Sequence, residues 1–231
     1  MMYLENQFFL LAITFGLYFL AKRLQKATSL VLLNPILLTI AALILFLKLF
    51  DISYETYSKG GTLIEFWLKP AVVALGVPLY LQLETIKKQF LPILLSQFAG
   101  CVVGVVSVVL IARGLGASQD VILSLAPKSV TTPIAMEVTK TIGGIPSLTA
   151  AVVVCVGLLG AILGLKTMEI MKVSSPIAQG LSLGTAAHAV GTSTAMDMGK
   201  KYGAYASLGL TLNGILTSIL TPTILRVMGF L

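Results

Sequence analysis

The feature that most restricts this chain is a division among its apolar stretches. Five run uninterrupted, at 6–21, 29–47, 91–112, 141–165 and 202–225. A hydrocarbon core of about 30 Å takes about 20 residues of helix, so each is a candidate span. Three others, at 63–83, 121–139 and 177–198, have the length of a span but are interrupted by proline, glycine, hydroxyls or a charge. Backbone freed at membrane depth must be satisfied by protein or by water, so such broken helices are expected to line a cavity. The pattern predicts an all-α polytopic membrane protein of about eight segments, three of them broken, in a single domain over 1–231.

Composition excludes several other classes. With 57% apolar residues, 11% charged residues and a mean hydropathy of +0.97, no stretch is left to form a soluble second domain. The net charge of +7 is scattered through short inter-span loops, which reads as topology signalling and not as a nucleic-acid surface. Cys101 and Cys155 each sit in an apolar run without a second ligand at metal spacing, so both are expected as buried packing residues and no metal or cofactor is expected. No nucleophile, base and orienting group can be assembled, so an enzyme is not expected and no catalytic residue is assigned. The first apolar run lacks the basic start and small-residue cleavage site of a signal peptide, and is expected to be retained.

The broken segments hold the chemistry. The first, KPAVVALGVPLY, carries Pro70, Gly76 and Pro78; the second, APKSVTTPIAM, carries Lys128, Ser129, Thr131 and Thr132 between Pro127 and Pro133. The third, LSLGTAAHAVGTSTAM, places Gly184 and Gly191 around the only histidine, His188, with Thr192 and Ser193 following. An offset of 60 superposes 130–148 on 190–208 with eight identities in nineteen positions, and sets Lys128 over His188 and Thr132 over Thr192. A fainter echo at an offset of 54 aligns Pro92 with Pro146 and Cys101 with Cys155. Repeated units with broken helices in matching places point to a transporter binding site.

A half-helix starting at mid-membrane aims unpaired N–H groups at the cavity, and a buried lysine is costly without a counter-charge. A small carboxylate satisfies both. The two hydroxyls Thr132 and Thr192 are expected to hold it from opposite sides, and so to be energetically coupled. Other readings stand beside these: Lys128 snorkelling or pairing with Glu137, and His188 as a hydrogen-bonder between helices. If all three broken segments cross, Lys22, Arg23, Lys26, Lys87, Lys88, Lys140, Lys200 and Lys201 share one side, against six basic residues on the other. That eight-to-six excess favours eight crossings with both termini outside.

NPILLTI, KPAVVALGVPLY, APKSVTTPIAM and GTAAHAVGTST resemble, in order and spacing, the hallmark stretches of the LrgB/CidB family over nearly the whole chain. The resemblance implies a bacterial inner-membrane protein working with an LrgA/CidA-type membrane partner, as a homo- or hetero-oligomer in the bilayer. It implies Asn34, Pro35, Pro70, Pro78, Pro127, Lys128, Ser129, Thr131, Thr132, Pro133, His188, Gly191 and Thr192 as the functional set. Two activities follow from it: transport of small monocarboxylates such as pyruvate, glycolate or glycerate, or antiholin-like control of murein hydrolases and lysis.

Overall fold

A computed structural model describes residues 6–28, 33, 35–74, 76–81 and 83–231, and all regular structure among them is helical. The chain falls into two compact units, Met1–Leu75 and Gly76–Leu231. In the first, α1 (Gln7–Thr28) packs against both α2 (Pro35–Leu49) and α3 (Tyr54–Ala74). The Asn6 side-chain oxygen accepts from the Phe8 N–H at 2.9 Å and so caps α1. Thr14 and Tyr57 share a hydroxyl contact of 3.0 Å that ties α1 to α3. Pro70 lies inside α3, which runs on to Ala74 without a break at the proline.

The second unit opens with the short helices α4 (Gly76–Leu81, which holds Pro78) and α5 (Leu83–Lys88). Its frame is three long helices: α6 (Phe90–Gly114), α9 (Pro146–Ile170) and α11 (Lys200–Val227). Together with α1 these are the four helices among the described residues that are long and apolar enough to cross a membrane, and α2 is a shorter apolar helix. Packing fixes their directions. Ile93 meets Tyr205, Cys101 meets Thr217, and Val109 shares a cluster with Leu225, so α6 and α11 run parallel. Gly157 faces His188 and Gly164 faces Leu183, so α9 runs against the first part of the following segment. Between helices in lipid, small residues allow backbones to approach closely, and Gly157, Gly160 and Gly164 supply that surface on α9.

The remaining helices form two re-entrant hairpins. In the first, α7 (Gln119–Leu125) stops where Pro127 removes a donor, and α8 (Thr132–Ile142) starts with Pro133 in its first turn. Gly143, in the left-handed region at φ 83°, ends α8, and Pro146 opens α9. The uninterrupted run expected from 141 therefore begins as a helix only at Pro146. The returning chain is bolted to Ser124 in the last turn of α7. The Ile145 N–H donates to Ser124 Oγ at 2.7 Å, Thr149 Oγ1 donates to the Ser124 carbonyl at 2.9 Å, and Thr149 contacts Thr139 at 2.8 Å. Eleven residues of α8 extend about 16 Å; had they continued the direction of α7, the 143–145 loop would lie far beyond Lys128 and not beside Ser124.

The second hairpin is α10 (Pro176–Met198), two arms joined at His188, whose backbone is non-helical at φ 42° and ψ −129°. The turn is tight: a Cβ on Gly191 would overlap the Leu183 carbonyl, eight residues back. The second arm returns to the start of the first, since Tyr202 on α11 sits beside Gly180. Each hairpin thus leaves and returns at one end of the bundle, and the two enter from opposite ends. This corrects the expectation that these segments cross. Hydropathy does not separate a crossing helix from two half-length arms of the same composition, and the basic residues were too evenly divided to do so.

Candidate functional site

The two hairpin tips meet at the middle of the second unit, beside a cavity of about 830 Å³. One wall is α6 with Gln89 at its N-cap, where Ser96, Gln97, Gly100 and Gly104 form a polar and small-residue stripe at helical spacing beside the apolar Ile93 and Val105. The opposite wall is the first arm of α10, through Ser175, Ser182 and Thr185. Gln89 and Ser175 mark the end at which both elements begin, and Gly104 lies about 22 Å further in along α6. Lys128 and Ser129 on the first tip stand at that inner end, where Gly104 approaches Ser129.

Among the described residues lining the cavity, Lys128 alone is charged. Its Nζ donates to Ser129 Oγ at 3.1 Å, and no carboxylate pairs with it among the described residues, where the ion pair is Lys87 with Glu84. Pairing with Glu137 does not occur; that side chain is exposed on α8. An ammonium held by one neutral hydroxyl in a water-accessible pocket inside an apolar bundle can still accept an anion. The N-terminus of α8 opens beside the same tip and adds dipole field of the same sign.

His188 is placed differently. Its ring is buried in the notch opposite Gly157, and its Nε2–H donates to the Val153 carbonyl at 2.9 Å. Thr192 Oγ1 donates to the His188 carbonyl at 2.9 Å. These contacts pin the second tip to α9, and neither side chain lines the cavity. Thr131 and Thr132 are half-buried at the start of α8 and also lie off its walls, and Ser193 is exposed away from it. Of the sequence-derived set, Lys128 and Ser129 are brought to the cavity. Pro127 and Pro133 bound the first tip, Gly191 allows the second to turn, and Gly184 lets α10 approach the Ala206 backbone of α11. Asn34 lies outside the described residues, and Pro70 belongs to the first unit.

Sequence reasoning missed the polar residues on the uninterrupted helices. Gln97 on α6 is buried and accepts from Thr185 Oγ1 at 2.6 Å. Asn213 on α11 is 1% exposed and donates through Nδ2 to two carbonyls at 3.0 Å, those of Ser129 and Thr185. Cys101 is buried against Thr217 at 3.4 Å, whereas Cys155 is exposed, which corrects its reading as a buried packing residue. The usable signal was an amide in mid-span, since such groups inside a membrane need a partner or a function.

The sequence matches the LrgB-like family over residues 14–227. It is 37% identical to the Holin-like protein CidB of Staphylococcus aureus, over 94% of this chain and 94% of that protein. It is also 37% identical to two Bacillus subtilis proteins, YxaC, over 93% of this chain and 94% of that one, and YwbG, over 94% and 97%. No solved structure gives a significant match. The long apolar helices, the tips they enclose and these relatives agree: the chain is a multi-pass bacterial membrane protein and belongs to the LrgB-like family.

Proposed function

We propose that the protein is a secondary transporter of small monocarboxylates of the pyruvate, glycolate or glycerate type, acting with an LrgA-type membrane partner. The observation that carries this reading is one lysine, Lys128, without a carboxylate partner among the described residues, at the inner end of a mostly apolar cavity with a few polar groups, where two re-entrant tips meet. A cation of this kind supplies charge-assisted hydrogen bonds to a carboxylate, and the nearby Ser129, Gln97 and Thr185 offer neutral hydrogen-bonding groups for a short polar substrate. The α6 helix with the first hairpin and the α9 helix with the second read as inverted repeats, the arrangement that lets a central site be exposed to each side in turn.

The test is uptake of labelled pyruvate, glycolate and glycerate into proteoliposomes, with and without an LrgA-type protein. Saturable uptake by the wild type is expected, with affinity reduced about tenfold to a hundredfold in Lys128→Met through loss of a bond worth about 1.5–3 kcal/mol. Uptake by Lys128→Met at the wild-type level would refute the assignment of the lysine. A second reading, a holin-like regulator of lysis, is favoured by the name of the CidB relatives. It predicts a non-saturable leak of dyes and ions that does not depend on Lys128, and the same vesicles measure it.

A further inference from the structure

Asn213 stands on α11 between tips that come from opposite ends of the bundle, and its carboxamide hydrogen-bonds to both. One Nδ2 hydrogen goes to the Ser129 carbonyl on the first tip and the other to the Thr185 carbonyl near the second, each at 3.0 Å. Thr185 lies in the last turn before the break at His188, where helix carbonyls lose their intrahelical partners. Ser129 lies in the non-helical 126–131 segment. Both acceptors are therefore backbone groups that the breaks set free, and a group with two N–H donors on one nitrogen satisfies the pair. The Asn213 Oδ1 accepts from Thr217 Oγ1 at 3.4 Å, and Thr217 contacts Cys101 on α6 at 3.4 Å, so the amide is held in this orientation from behind.

We propose that Asn213 is a positioning residue that clamps the two hairpin tips into one substrate-binding unit, and thereby places Lys128 for the anion. The identity of the anion rests on the transport reading above; the clamp does not. Each tip has its own anchor to the frame, Ser124 for the first hairpin and His188 with Val153 for the second. Both anchors run to α9, at Thr149 and Val153, so that helix also holds the tips; among the described residues the Asn213 amide is the side chain that hydrogen-bonds to both directly.

The test uses the full chain in proteoliposomes, in a Cys155→Ser background that leaves Cys101 as the only cysteine. Asn213→Asp keeps the shape of the side chain, removes both donors and turns an acceptor toward two carbonyls; Asn213→Ala removes the group. Thr221→Val deletes another buried hydroxyl two turns along α11, one without a hydrogen-bond partner, and serves as the matched control. In the absence of any substrate, alkylation of Cys101 by a small maleimide is expected to accelerate about tenfold or more in both Asn213 variants and to stay at the background rate in Thr221→Val. Pyruvate binding is expected to weaken about tenfold in Asn213→Asp, the size of two lost donor bonds, with little change in maximal rate. In a Lys128→Gln background the same substitution is expected to add less than a further twofold, because its effect passes through the lysine. Unchanged Cys101 reactivity in both Asn213 variants, or a full tenfold loss in both backgrounds, would overturn the clamp. Absence of pyruvate, glycolate and glycerate binding to the wild type would overturn the transport reading, while the Cys101 rates still decide the clamp.

Discussion

At the residue scale, Lys128 and His188 were equally conspicuous in the sequence, and the structure gives them different surroundings, a cavity wall for one and a buried notch for the other. A charge in an apolar run demands an explanation, so Lys128 could be found without coordinates. The role of His188 could not, because it depends on Gly157, thirty-one positions earlier, leaving a notch for the ring. Gly157→Ala puts a Cβ about 2.5 Å from His188 Cε1. It is expected to destabilise the protein by about 1–3 kcal/mol through overpacking, measurable as a lowered thermal midpoint in detergent. A second expectation reverses the one drawn from the repeat. Thr132 and Thr192 superpose in sequence, yet neither lines the cavity, and Thr192 is bonded to the His188 carbonyl. A cycle of Thr132→Ala, Thr192→Ala and the double variant, read by substrate affinity, should therefore be additive within about 0.5 kcal/mol. Asn213 and Gln97 stayed hidden for the opposite reason: one amide does not interrupt a long apolar run, so hydropathy passes over it.

At the scale of elements, the breaks themselves were legible because proline and glycine declare them, whereas the reversal of the chain at each break was not. Reversal is decided by distant partners, above all the bonds that bring Ile145 and Thr149 to Ser124. In Ser124→Ala the Ile145 N–H loses its acceptor in a partly buried site, which costs about 1–3 kcal/mol. The expected result is faster hydrogen exchange at 143–149 along with lower thermal stability. Protection of that loop at the wild-type level would show that the hairpin is held closed by its apolar contacts alone. Those contacts exist, since Ile122, Val138 and Ile142 share a cluster with Ala112 and Leu225, so the loss is expected to loosen the hairpin and not to unfold the bundle.

On the scale of the whole second unit, the hairpins change how its charges are counted. The cavity end, where α6, α10 and α11 begin and α9 finishes, carries Lys87, Lys88, Lys166, Lys172, Lys200 and Lys201; the other end carries Arg113, Lys140 and Arg226. By the positive-inside rule that excess predicts a cytoplasmic cavity end. Ser182 is exposed on the cavity wall. In a chain lacking both native cysteines, Ser182→Cys should be labelled by a membrane-impermeant maleimide in inverted vesicles and spared in right-side-out ones. The reverse pattern would invert the assigned orientation.

The position of α11 also bears on biogenesis. It follows both hairpins in the chain, and it holds the amide that touches both tips. A ribosome delivers the tips first and their common bond last. During synthesis the freed carbonyls of Ser129 and Thr185 must find water or a transient partner until α11 inserts alongside them. Assembly of the central site is therefore a late event that closes the unit at once, and a fault in α11 would be felt in hairpins made well before it.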